Sequence, residues 1–146
     1  MQTVIKTFNE LSLDELFEII KLRIEVFVVE QNCPYMEVTA EDKVSHHVYL
    51  RDESGIVAYL RVVPKGYKFD NVSLGRVITK KRKVGLGAKI MQVGKQIAKQ
   101  VYLAERVIVE AQTYARGFYE KCGFTKISNE FSVDGIPHIL MECNLS

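Results

Sequence analysis

Apolar and polar positions alternate along the chain in two rhythms, and the switches between them mark the elements. Residues 4–8 read as a first strand. Ser12, with Glu15 after it, has the form of a capping box that starts a helix. Leu13, Leu16, Phe17, Ile20, Ile24, Phe27 and Val28 then recur at helical spacing, which predicts one long amphipathic helix. Pro34 blocks its continuation, so residues 31–43 read as a loop. Residues 46–51 and 56–63 are β-rich runs around Asp52-Glu53-Ser54-Gly55, a hairpin turn. Residues 71–79 form the next strand. Leu86, Ile90, Val93, Ile97 and Val101 step by helical turns, and residues 106–110 are a short strand. Residues 114–122 read as a short helix with Gly123 as a left-handed stop. Residues 124–133 and 136–144 close the chain as a hairpin around Asp134-Gly135.

Hairpins require antiparallel pairs, whereas the strand–helix–strand crossover over residues 71–110 requires a parallel one. A single mixed sheet with helices on both faces satisfies both. At 146 residues, with 47% hydrophobic and 26% charged positions, the chain has the size and composition of one globular domain, residues 1–146. No apolar run approaches a membrane span and no leader-like segment opens the chain, so a cytoplasmic protein is the expectation. The three cysteines, Cys33, Cys122 and Cys143, show neither a disulfide framework nor the spacing of a metal site.

Net charge is only +2, but acids dominate before residue 70 and bases after it. Lys80, Lys81, Arg82 and Lys83 run into Val84-Gly85-Leu86-Gly87, between the fourth main strand and a helix. Glycines at a helix N-terminus let unpaired N–H groups face an anion, so this is a polyphosphate site by its chemistry. A nucleic-acid footprint is the weaker reading of so short a run.

Arg82-Lys83-Val84-Gly85-Leu86-Gly87 fits the loop pattern Gln/Arg-x-x-Gly-x-Gly/Ala of the GNAT superfamily of acyl-CoA-dependent acetyltransferases. A second signature, Ala-x-x-x-Tyr-x-x-x-Gly-Phe, is filled by Ala115, Tyr119, Gly123 and Phe124. Leu22-Arg23, Val26-Phe27-Val28-Val29-Glu30-Gln31, Cys33-Pro34-Tyr35 and Asp134-Gly135-Ile136-Pro137-His138-Ile139 resemble the ElaA-like branch. Thr39-Ala40-Glu41-Asp42 departs from it, where ElaA-like chains more often carry an Asp-Gly-rich stretch.

The resemblance implies a mostly antiparallel sheet whose parallel central pair splays into a V. It also implies acetyl-CoA as co-substrate, with no metal. The pyrophosphate would rest on the backbone of Arg82, Lys83, Val84, Gly85, Leu86, Gly87 and Ala88. The pantetheine arm would lie along Val77, Ile78 and Thr79, with Gly75 as a candidate bulge opening the sheet. Gln112 stands where relatives carry an asparagine facing that arm. Tyr119 takes the place of the general acid that protonates the departing thiolate. Among residues able to accept the amine proton, Glu110 leads, with His46, His47 and His138 as alternatives. Arg23, Phe27, Gln31, Asn32, Tyr35 and Met36 fall where relatives shape the acceptor pocket. The partners implied are acetyl-CoA and a small-molecule or peptide amine, with no nucleic acid and no membrane. The closing hairpin is a candidate edge for a homodimer. A non-catalytic coenzyme A sensor on the same fold is the alternative reading.

Overall fold

A computed structural model describes residues 1–80 and 85–146. The elements run β1 (Gln2–Thr7), α1 (Leu13–Ile24), β2 (His46–Asp52), β3 (Gly55–Val63), β4 (Ser73–Thr79), α2 (Leu86–Gln100), β5 (Arg106–Gln112), α3 (Arg116–Lys121), β6 (Thr125–Lys126), β7 (Phe131–Val133) and β8 (Ile136–Asn144). One sheet holds all the strands in the order β1-β2-β3-β4-β5-β8-β6, with β7 also on β8. Every pairing is antiparallel except that of β4 with β5. The parallel ladder covers only Ser73 opposite Ile108 and Leu74 opposite Val109. Beyond those pairs the two strands part, which is the V that the resemblance implies.

Strand alternation divides the core into two layers. Ala58, Leu60 and Val62 of β3 face α2 and pack with Ile90, Met91 and Ile97. Tyr59 faces the other way, with Ile19 and Leu22 of α1. Gly94 brings α2 close to the sheet, because a Cβ there would lie 3.0 Å from the Leu60 side chain and 3.2 Å from that of Leu74.

The long first helix departs from expectation on two counts. It passes into a π-helical turn over Glu25–Glu30. Its apolar residues also form two stripes. Ile19, Leu22 and Arg23 face inward, while Leu13 and Phe17 remain 86% and 70% exposed. The second stripe lies about 150° round the helix from the first, out of reach of a sheet that covers only one side. The strand expected over residues 124–133 is also broken in two. Ser128 Oγ accepts the Leu140 N–H at 2.8 Å, taking the place of a ladder carbonyl between β6 and β7.

The bulge that opens β4 sits one residue beyond Gly75. Arg61 faces Gly75 and Tyr59 faces Ile78, so β4 carries one extra residue in this interval. Arg76 absorbs it in the left-handed region, φ +54°, whereas Gly75 has no positive φ. The inserted residue changes the parity of the strand. Val77 then packs on the α2 side and Ile78 on the α1 side. It also leaves Arg76 able to reach the loop between α1 and β2.

That loop is held by buried charge. Arg23, 1% exposed, donates from Nε to Glu37 Oε1 at 2.8 Å and from Nη2 to the Glu37 carbonyl at 3.1 Å. Its Nη1 and Nη2 fork onto the two Asp42 carboxylate oxygens at 2.8 and 3.1 Å. Arg61 Nη1 reaches Asp42 Oδ1 at 2.9 Å, and Arg76 Nε reaches Glu37 Oε1 at 2.8 Å. Burial opposes the Asp42 charge, but hydrogen bonds and attraction from Arg23 and Arg61 outweigh it and bring its pKa down to about 2. Asp42 lies in the segment where the sequence departs from its ElaA-like pattern.

Asp42→Ala should cost about 3–5 kcal/mol of unfolding free energy in denaturant melts at neutral pH, since it strands two buried guanidiniums. The folded carboxyl is held below its unfolded value, so its stabilisation is complete above about pH 4 and disappears as pH falls toward 2. Acid titration of the wild type should therefore show a stability loss in that window that is smaller in Asp42→Ala.

Candidate active site

The parting of β4 from β5 leaves a cleft of about 630 Å³, lined by both strands and by residues of the π-helical turn, α3 and the β7–β8 hairpin. One wall is an unpaired strand edge. Lys80 N–H bonds the Val57 carbonyl at 2.7 Å, and ladder alternation therefore turns the main-chain groups of Ile78 toward β3. Those of Val77 and Thr79 face the cleft. Of the expected trio, two can present backbone groups to a guest, while Ile78 contributes through its position on the wall.

At the mouth, Gly85 caps α2 in the left-handed region, φ +93°, a conformation that favours glycine. The first bond of the helix is Lys89 N–H to the Gly85 carbonyl at 2.9 Å. The N–H groups of Leu86, Gly87 and Ala88 therefore have no partner within the helix, as an anion site requires. The expected contributions of Arg82, Lys83 and Val84 lie outside the described residues. Gly87 has a second role that the loop pattern does not suggest. A Cβ at this position would lie 2.6 Å from Phe118 Cε1, so its absence admits the Phe118 ring against α2.

Tyr119 is 9% exposed and lines the cleft. Phe118 and Phe124 meet its ring edge-on, with centroids at 5.1 and 5.9 Å. Its hydroxyl makes no hydrogen bond among the described residues. Burial, with smaller contributions from Tyr114 and Cys122, holds its pKa well above the ordinary phenol value. Glu110 also lines the cleft, with a carboxylate oxygen 3.6 Å from Lys68 Nζ. Gln112 Nε2 donates to Gln31 Oε1 at 3.1 Å, which ties the end of β5 to the π-helical turn across the cleft.

The histidines separate cleanly. His47 is fully buried, bonded to the Tyr59 hydroxyl at 2.7 Å and the Asp42 carbonyl at 2.8 Å. The carbonyl can only accept, so Nε2 carries the proton and Nδ1 accepts from Tyr59. Burial lowers its pKa, and the residue serves the packing of the charged layer. His46 pairs with the Tyr102 hydroxyl away from the cleft. His138 lines the cleft and donates Nδ1–H to the Ile136 carbonyl at 2.7 Å, leaving Nε2 as an acceptor. Cys33 also lines it, its thiol turned to the Asp134 carbonyl at 3.6 Å.

Of the residues expected at the acceptor pocket, Phe27, Gln31 and Tyr35 line the cleft. Arg23 lies behind its wall in the charge network, and Met36 is 79% exposed outside it. Arg61, Lys68 and Arg76 were not among the expected site residues, yet all three line it. A cation in the middle of the apolar run of β3 was the signal available for Arg61.

Residues 11–145 match the family model described as an acetyltransferase (GNAT) domain, and the chain belongs to that family of acyltransferases. Within it the chain falls in the ElaA-like branch. Protein ElaA of Escherichia coli is 32% identical over 137 residues, covering 91% of this chain and 90% of its own. A UPF0039 protein of Schizosaccharomyces pombe is 39% identical over 149 residues, covering 99% and 98%. The crystal structure of an acyl-CoA N-acyltransferase from Pseudomonas aeruginosa superposes with TM-score 0.89 at 34% identity, covering 98% of this chain and 99% of that one. The E. coli ElaA structure does so with TM-score 0.90 at 29% identity and the same coverage.

Gly87→Ala should drive Phe118 out of its seat and cost about 1–3 kcal/mol, as overpacking does. Thermal melts should show the loss, and Phe118→Leu in the same chain should recover part of it. An unshifted midpoint for Gly87→Ala would mean that the ring does not depend on that gap.

Proposed function

We propose that residues 1–146 act as a single domain that transfers an acetyl group from acetyl-CoA directly to a primary amine, with Tyr119 as general acid. The observation that carries this reading is a protonated, buried phenol opening on a cleft whose other wall is an unpaired strand edge. The Pseudomonas aeruginosa relative, an acyl-CoA N-acyltransferase by description, supports an acyl-CoA donor.

Each part has a physical task. The N–H groups of Leu86, Gly87 and Ala88, which have no partner within α2, meet the pyrophosphate. The exposed backbone of Val77 and Thr79 pairs with the pantetheine amides as an added strand would. A main-chain N–H at the bulge polarises the thioester carbonyl. The amine nitrogen attacks that carbon, the C–S bond breaks, and the thiolate takes the Tyr119 proton. The raised pKa keeps the phenol in the protonated form that donation requires.

Glu110 is the proposed acceptor of the amine proton, its carboxylate 3.6 Å from Lys68 Nζ. His138 is the second reading, because its Nδ1–H bond leaves a lone pair on Nε2 in the same cleft. Direct transfer needs no covalent enzyme, and Cys33 has its thiol engaged with a carbonyl.

Tyr119→Phe should lower kcat by about 10²-fold or more while leaving acetyl-CoA affinity within about twofold by calorimetry. Initial-rate patterns should be sequential. An unchanged kcat would remove Tyr119 from the mechanism, and turnover by no amine at all would favour the sensor reading.

A further inference from the structure

The charged layer beneath the cleft is not internally balanced. Three guanidiniums, of Arg23, Arg61 and Arg76, face two carboxylates, of Glu37 and Asp42. Lys68 and Glu110 in the same cleft cancel one another. Within the hydrogen-bonded network the guanidiniums outnumber the carboxylates by one, and the least-engaged guanidinium can be identified. Arg23 has Nε, Nη1 and Nη2 all engaged. Arg76 has Nε and Nη2 on Glu37.

Arg61 differs from both. It is 2% exposed and lines the cleft, yet it uses only Nη1, on Asp42 and Thr39. Among the described residues its Nε is a buried donor with no partner, and the bonds found for its side chain use Nη1 and not Nη2. An unmet guanidinium donor in the interior is costly unless something completes it. The Nε–Nη2 edge is the side of a guanidinium that grips a carboxylate with two parallel hydrogen bonds.

Gly75 leaves room beside this edge. It sits opposite Arg61 in the ladder, at the residue where β4 leaves β5. Its φ does not demand glycine. A Cβ built on it would meet only Arg61 Nε, at 3.8 Å. That space is the one a carboxylate oxygen would enter.

We infer that the acceptor amine also carries a carboxylate, which docks on the Nε–Nη2 edge of Arg61 beside Gly75. The acceptors are then amino acids or related amino carboxylates. This rests on the transferase reading above and narrows its acceptor. The bound carboxylate would leave the amine within the same cleft as Glu110, His138 and Tyr119.

Acetyl-CoA turnover over α-, β- and ω-amino acids and dipeptides, each paired with its carboxamide, tests this. The α-amides are the weaker bases and the more readily deprotonated amines, so chemistry alone favours them. The acids should nevertheless have kcat/KM at least about tenfold higher, the size expected when a charged buried donor loses its partner. Arg61→Lys keeps a cation for Asp42 but removes the fork, and should erase the acid preference. Gly75→Ala fits the fold and should raise KM for the acid with kcat and acetyl-CoA affinity little changed. Amides used as well as acids would overturn the inference and leave the transferase reading standing. An acid preference that survives in folded Arg61→Lys and in Gly75→Ala would overturn the assignment to Arg61. Transfer to no amine by a protein that binds acetyl-CoA would overturn both readings.

Discussion

Two residue pairs of parallel ladder, Ser73 with Ile108 and Leu74 with Val109, hold the halves of the sheet together. Everything functional depends on the ladder stopping there. Were it continued, the backbone groups of Val77 and Thr79 would be satisfied by β5 and the cleft would close. Unpaired ladder groups in a closed interior are costly, so this arrangement requires a cleft in which water or a guest can complete them. The parting creates a strand-shaped vacancy, and α2 follows β4 with the N–H groups of its first turn unused within the helix. On the proposed function, one irregularity thereby supplies both the wall for an extended amide chain and the mouth for its charged end.

The charged layer on the α1 side keeps that irregularity in place. Arg76 occupies a left-handed backbone conformation that non-glycine residues adopt at a cost of about 1 kcal/mol or more. Its guanidinium bonds to both the side chain and the carbonyl of Glu37 offset this. Glu37 is in turn fixed by Arg23, and Arg23 by Asp42, so the bulge in β4 is anchored through the loop to helix α1. Buried ion pairs of this kind contribute little net stability against an apolar alternative. Their benefit here is positional. An apolar contact could hold the loop, but it could not set the register of Arg76 or leave Arg61 with an unfilled edge.

The sequence made some of this legible and concealed the rest, for physical reasons. Gly85, Tyr119 and the Asp134-Gly135 turn were readable because each requirement is local: a positive φ, or a side chain at fixed spacing from its neighbours. The parallel crossover and both hairpins follow from rhythm and turn chemistry. The bulge at Arg76 was not readable. Its cause is Glu37, 39 positions away in the chain, while Gly75 beside it looked like the natural hinge. The network was equally hidden, because Arg23, Glu37, Asp42, Arg61 and Arg76 are scattered, and each alone has the look of a solvated charge. Leu13 and Phe17 misled in the opposite sense, as helical periodicity states that a residue shares a face but not that the face is covered.

A deeper asymmetry underlies the difference. On the proposed function, the donor side of the cleft is built from backbone, namely the strand edge, the helix N-terminus and the glycine cap, and the acceptor side from side chains. Backbone recognition needs only a few residue types at fixed places, which is why a short motif can announce it across distant members of a family. The acceptor side is built from side chains contributed by β3, the β3–β4 loop, β4, β5 and the closing hairpin. Its character depends on which donors and charges happen to remain unpaired after the interior has satisfied itself. No linear pattern records that remainder, since it is a difference between interactions made and interactions available. It becomes visible only when the hydrogen bonds of Arg61 are counted against its donors, and the specificity of such a site is then a property of what the fold leaves undone.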